Sequence, residues 1–116
     1  MPHVQLRGAV RVADLAAPLA DFMEAQPPEV RKIQGAFLAL DRRHLLLEAV
    51  VVEAYLRQSF FLLLREEEEG LLIRCHPVGT PQKTDGVKRL IAAVARRCRA
   101  LRPDLVVGNT NLEALL

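Results

Sequence analysis

The stretch IQGAFLALDRRHLLLEAVVVEAYL, residues 33–56, decides how the chain is built. Two apolar runs flank DRRH, a set of polar turn residues. Val50, Val51 and Val52 are β-branched, which suits a pleated, half-buried surface better than a helix. A helix across the second run fits the same apolar pattern, because short runs are not separated by periodicity alone. The three valines favour a hairpin, with strands near 33–40 and 44–53.

Downstream of it, SFFLLLREEEEGLLIRCHP (59–77) reads as a second hairpin bent around Glu67 to Gly70, where Gly70 can take a positive φ. A tight turn at Arg57-Gln58 is expected to join the two hairpins. Upstream, HVQLRGAVRV (3–12) alternates in part and reads as a short strand broken at Gly8. In VADLAAPLADFMEAQ (12–26), Leu15, Leu19, Phe22 and Met23 share one helical face, with Asp14 as candidate N-cap and Pro27-Pro28 as the stop. Downstream, Val87, Leu90, Ile91, Val94, Ala95, Cys98 and Leu101 follow the i, i+3, i+4, i+7 spacing of an amphipathic helix over 86–102. DLVVGNTN (104–111) makes a short final strand.

The expected fold is therefore α+β: an antiparallel β-meander of about four to five strands with two helices packed on one face. Residues 1–116 form one domain. The runs FLAL, LLLEAVVV and FFLLL place apolar side chains on both faces of their strands. Helices on one side leave the other face uncovered, and a second copy of the chain is the expected cover.

Composition narrows the function. Aromatic residues are few (Phe22, Phe37, Phe60, Phe61 and Tyr55, with no Trp), so stacking platforms are scarce. The net charge is only +2, yet residues 83–102 carry +6 and residues 48–69 carry −4. Such poles steer charged partners or pair with a copy of the chain. Two cysteines make no disulfide framework, no run reaches the ~20 residues of a membrane helix, and no signal-peptide pattern is present. A cytoplasmic protein is expected, with no membrane association. Arg outnumbers Lys 13 to 3, Asn occurs twice, and Leu supplies 20 residues. This usage resembles that of small proteins from Thermus- and Deinococcus-type bacteria, which implies a thermophilic source and carries no functional residue across.

One stretch looks like chemistry: RCHPVGTPQKTDGVKR, residues 74–89. As a zinc site, the adjacent Cys75 and His76 lack a second pair of ligands at a fixed spacing, and on a strand they point to opposite faces. As a P-loop, it has Gln82 where the glycine before the lysine belongs, Cys75 at the first glycine, and Pro81 removing a donor. An anion at the helix start, beside Lys83, Thr84, Lys88 and Arg89, is the form of the idea that survives, against a start satisfied by its own cap, Thr84 or Asp85. The arginine face, with Arg96, Arg97 and Arg99, is the alternative nucleic-acid surface. Enzyme chemistry through Cys75, His76, Lys83 and Thr84 lacks a recognisable constellation. No catalytic residue, metal or cofactor is expected. The leading expectation is a non-enzymatic, homodimeric interaction module.

Overall fold

A computed structural model describes residues 1–116. In chain order the elements are β1 (His3–Arg7), α1 (Val12–Leu19), β2 (Phe22–Gln26), β3 (Glu29–Leu38), β4 (His44–Glu53), β5 (Leu56–Glu67), β6 (Gly70–Cys75), α2 (Asp85–Leu101) and β7 (Val106–Thr110), followed by a short 3₁₀ turn at Glu113–Leu115. The strands form one curled, half-barrel sheet in the order β2-β3-β4-β5-β6-β1-β7, every pair antiparallel. The class is α+β as expected, but the sheet has seven strands where four to five were expected.

The added strand at the start of the meander corrects the reading of residues 12–26. The helix ends at Leu19, one residue after Pro18, and residues 22–26 pair with β3 from Phe22↔Ile33 to Gln26↔Glu29. FMEAQ contains good helix formers, so the strand comes from the ladder that β3 supplies and not from local propensity. Pro27-Pro28, joined by a cis bond, is the turn of this hairpin and not merely a helix stop. Nor does Asp14 cap α1. The N-cap is Arg11, and the Val12 N–H donates to Glu66 Oε1 at 3.0 Å, so a β5 carboxylate meets the helix start. The turn between β4 and β5 falls at Ala54-Tyr55, ahead of the expected Arg57-Gln58.

Residues 33–56 form a hairpin, with Leu38↔Leu45 to Val30↔Val52 in register around a bulge between Ile33 and Gly35. Because strand side chains alternate, Leu45, Leu47, Ala49 and Val51 all reach the covered face and are fully buried. Both helices pack there. Val87, Leu90, Ile91, Val94, Ala95 and Cys98 of α2 join Leu15 and Leu19 of α1 in a single 24-residue core. Burying each Leu or Ile side chain contributes roughly 1.5–3 kcal/mol, so this face holds the fold together.

The opposite face has no helix over it.

Candidate functional site: two basic surfaces

Thr84 is the N-cap of α2, its Oγ1 accepting from the Val87 N–H at 3.3 Å. Its hydroxyl donates to Glu53 Oε1, and the Gly86 N–H donates to Glu53 Oε2 at 3.3 Å. Glu53 ends β4 on the covered face, so its carboxylate occupies the place where an external anion would dock. Gly86 makes this approach possible: a Cβ there would lie 2.7 Å from Glu53 Cδ and 2.8 Å from Val51 Cγ1. The preceding loop is pinned to β5, since Gln58 Nε2 donates to Gln82 O at 3.1 Å and the Gln82 N–H donates to Gln58 Oε1 at 2.8 Å. Of the four anion-site candidates, Thr84 binds Glu53 and Arg89 pairs with Glu29 at 2.8 Å. Lys83 and Lys88 make no ion pair.

The arginines of α2 are largely engaged within the chain. Arg96 Nη2 lies 3.3 Å from Glu24 Oε2, and its Nη1 donates to the Leu115 carbonyl at 2.6 Å. Arg99 Nε donates to Leu105 O at 3.2 Å, and Arg102, past the helix end, pairs with Asp14 at 3.2 Å. Arg97 is exposed and free of ion pairs. Behind these contacts stands Arg31 of β3, whose side chain is 4% exposed. It pairs with Glu29 and with Glu24 (3.0 Å), and Glu29 and Glu24 in turn hold Arg89 and Arg96. The result is an alternating chain of five charges tying β2 and β3 to α2. A second polar region, a cleft of about 920 Å³ lined by Arg11, Arg42, Arg43 and Arg102, also holds Asp14, Asp41 and Glu66–Glu68. Its signs are interleaved.

Cys75 and His76 part company as strand geometry requires. Cys75 is buried in the core, and burial pushes its thiol up to about 11, with the charge of Lys83 working against the shift. His76 continues the ladder, its N–H donating to Phe61 O at 2.8 Å, while its Nδ1 accepts from the Val78 N–H at 3.1 Å. Cys98 lies in the core beneath α2, its thiol pushed up to about 12 by burial. Thiols this high hold their protons at neutral pH and are poor nucleophiles. No three His, Cys, Asp or Glu side chains gather where they could hold a metal ion.

The second surface is the open face of the sheet, which has two unlike halves. On β2, β3 and β4 it is apolar: Met23 and Phe37 are 64% and 53% exposed beside Leu46, Val50 and Val52. The charges there are Lys32 and Glu48, one of each sign. Across the Phe37–Phe61 edge-to-face contact (centroids 6.3 Å apart) the face carries charges of both signs. Arg57, Arg65, Arg74 and Arg7 are interleaved there with carboxylates: Glu67 pairs with Arg65 at 3.4 Å, Glu67, Glu68 and Glu69 line one groove with Arg7, and Glu48 stands opposite Phe61. Arg7, Arg57 and Arg74 make no ion pair. Sequence reasoning passed over these arginines because they are scattered over three strands and never cluster along the chain. The signal was their alternation: 57, 65 and 67 share parity with Phe61 and oppose buried Leu62 and Leu64.

Comparison with protein-family models, curated proteins and solved structures finds no match for this chain.

Proposed function

We propose that the protein is a non-enzymatic cytoplasmic interaction module that works as a homodimer, joined through the apolar half of its open sheet face. The observation that carries this reading is the exposure of Met23 and Phe37 on a face that neither helix covers. Large exposed side chains continuous with half-buried Leu46 and Val52 form the kind of patch that marks a protein interface. A two-fold contact uses the same patch on both copies, so Lys32 of one copy can meet Glu48 of the other, and the reverse. Unpaired, buried thiols accord with a reducing compartment.

Sedimentation velocity tests the proposal. At micromolar concentration the protein should sediment as a dimer, and Phe37→Asp combined with Met23→Asp should give a folded monomer. A parent protein that is monomeric throughout that range overturns it.

Anion or nucleic-acid binding at α2 and the loop before it is the alternative. It draws less support, because Glu53 meets the helix start and Arg89 and Arg96 already have carboxylate partners.

A further inference from the structure

The apolar half of the open face carries two charges, and neither has a counter-charge. Lys32 of β3 and Glu48 of β4 are both half-buried, and neither enters an ion pair. Glu48 Oε2 accepts from Gln34 Nε2 at 2.8 Å, and that is the one hydrogen bond its carboxylate makes. A carboxylate accepts several donors, so this one is short of partners. Partial burial makes the shortage costly unless another group completes the site.

The surroundings of Glu48 are aromatic. Phe61 stands directly opposite it on β5, and Gly35 stands opposite it on β3. A Cβ on Gly35 would lie 3.4 Å from Phe37 Cε2 and 3.4 Å from Glu48 Oε1, so ring and carboxylate converge over the bare backbone. The bulge between Ile33 and Gly35 sets this register. The Phe37 and Phe61 rings lie 63° from parallel, and both are exposed. Phenyl rings thus flank Glu48 from both neighbouring strands. Ring faces attract a positive charge through their quadrupole, and a carboxylate beside them supplies its counter-charge. Together they make a cage for an organic cation.

The fold itself offers the occupant. Lys32 is the one lysine or arginine on β2, β3 and β4 that faces away from the helices. It stands across from Val50, one strand and two residues from Glu48, roughly 8 Å over the face. A two-fold axis lying in the interface midway between Lys32 and Glu48 sets each residue over the other's position in the second copy. Facing sheets stack about 10 Å apart, a gap that a lysine meeting a glutamate spans.

We infer that in the dimer each copy's Lys32 enters the cage of the other, its ammonium paired with Glu48 and held against the faces of Phe37 and Phe61. The inference rests on the homodimer proposed above and names the site that orders it.

The test is sedimentation equilibrium on the parent and on variants that keep side-chain size. Lys32→Met and Glu48→Gln should each raise the dimer dissociation constant about fivefold, and Phe61→Leu about threefold. Phe61→Leu added to Lys32→Met should raise it no further, because leucine keeps the apolar bulk and no cation remains to lose. Mixing Lys32→Met with Glu48→Gln separates a contact between copies from one within a chain. The mixed dimer keeps one intact lysine facing one intact cage, so after the statistical factor its dissociation constant should be about half that of either variant alone. Thermal melts establish that each variant is folded. A parent that is monomeric at micromolar concentration overturns the dimer and the cage together. A dimeric parent in which Phe61→Leu and Lys32→Met act additively overturns the cage alone. So does a mixed dimer no tighter than the two pure variants.

Discussion

The two arginine-rich regions of this protein behave oppositely. Along α2 and just beyond it, five arginines crowd into fourteen residues, yet Arg89, Arg96 and Arg102 end in ion pairs with Glu29, Glu24 and Asp14. On the open sheet face the arginines stand apart, with Arg57 and Arg65 eight residues from each other on β5, and Arg7, Arg57 and Arg74 make no ion pair. Local density of charge in the sequence is thus a poor guide to excess charge in space. A dense cluster attracts carboxylates from elsewhere in the chain, whereas isolated strand arginines are left dispersed over an open face. The first region is part of the scaffold; the second is the free surface.

Arg31 separates the two regions most directly. If the α2 cations belong to the scaffold, the buried guanidinium that organises Glu24 and Glu29 should be costly to remove. Arg31→Ala leaves two carboxylates without their shared partner and should cost about 3–5 kcal/mol in urea denaturation. Arg57→Ala, on the open face, should cost less than about 0.5 kcal/mol. Equal costs for the two would erase the distinction between the regions.

A smaller effect sharpens the same contrast at the start of α2. Gly→Ala in a helix ordinarily stabilises by up to about 1 kcal/mol. Gly86→Ala should instead destabilise by about 1–3 kcal/mol, because the new methyl group collides with Val51 and with the Glu53 carboxylate. The internal anion also has a consequence for ligands. Glu53→Ala vacates the helix start, so millimolar inorganic phosphate should raise the melting temperature of that variant more than that of the parent. An equal rise in both would place phosphate elsewhere on the molecule.

The covered face should further betray its dryness at high pH. Cys75 and Cys98 are raised from 9.0 to about 11 and about 12 by burial. A thiol whose folded value lies above its unfolded value contributes stability that is fully present below pH 9. That contribution is lost as pH rises through 9 toward 11 and 12, because the unfolded chain releases the protons first. Unfolding free energy should therefore fall across this window, and Cys98→Ala should flatten the decline, even though the smaller side chain lowers stability at neutral pH. Labelling by iodoacetamide in native buffer at pH 8 should track unfolding.

What was legible in the sequence follows from how each feature is encoded. The stripe of α2 and the β3-β4 hairpin are written in local periodicity and β-branching, and both are present. β2 is not, because FMEAQ becomes a strand only when β3 offers it a ladder. At the candidate sites, Thr84 was readable as a cap. The carboxylate that meets it, Glu53, lies 31–33 residues away, so the pairing leaves no local signal. The pairings that engage Arg89 and Arg96 span 60 and 72 residues, beyond any motif. The open-face arginines show why spacing within a strand carries more information than clustering: their parity assigns the face, and the sheet order assigns the neighbours.

The smallest expected effect tests the neutral half of the open face, and it separates a specific dimer from apolar stickiness. Lys32 and Glu48 lie in neighbouring strands on that face, and Glu48 accepts from Gln34 Nε2 at 2.8 Å. In a two-fold dimer both reciprocal Lys32–Glu48 contacts form at once, so reversing one charge turns two attractions into two repulsions. Lys32→Glu and Glu48→Lys should each raise the dimer dissociation constant about tenfold, an effect of about 1.4 kcal/mol. The double reversal should restore most of the affinity, because every opposed pair is again of unlike sign. Apolar association without registry would respond to neither charge, and the double variant would behave like the singles. Rescue by the double reversal, read in the same sedimentation experiment, would fix both the face and the symmetry of the dimer.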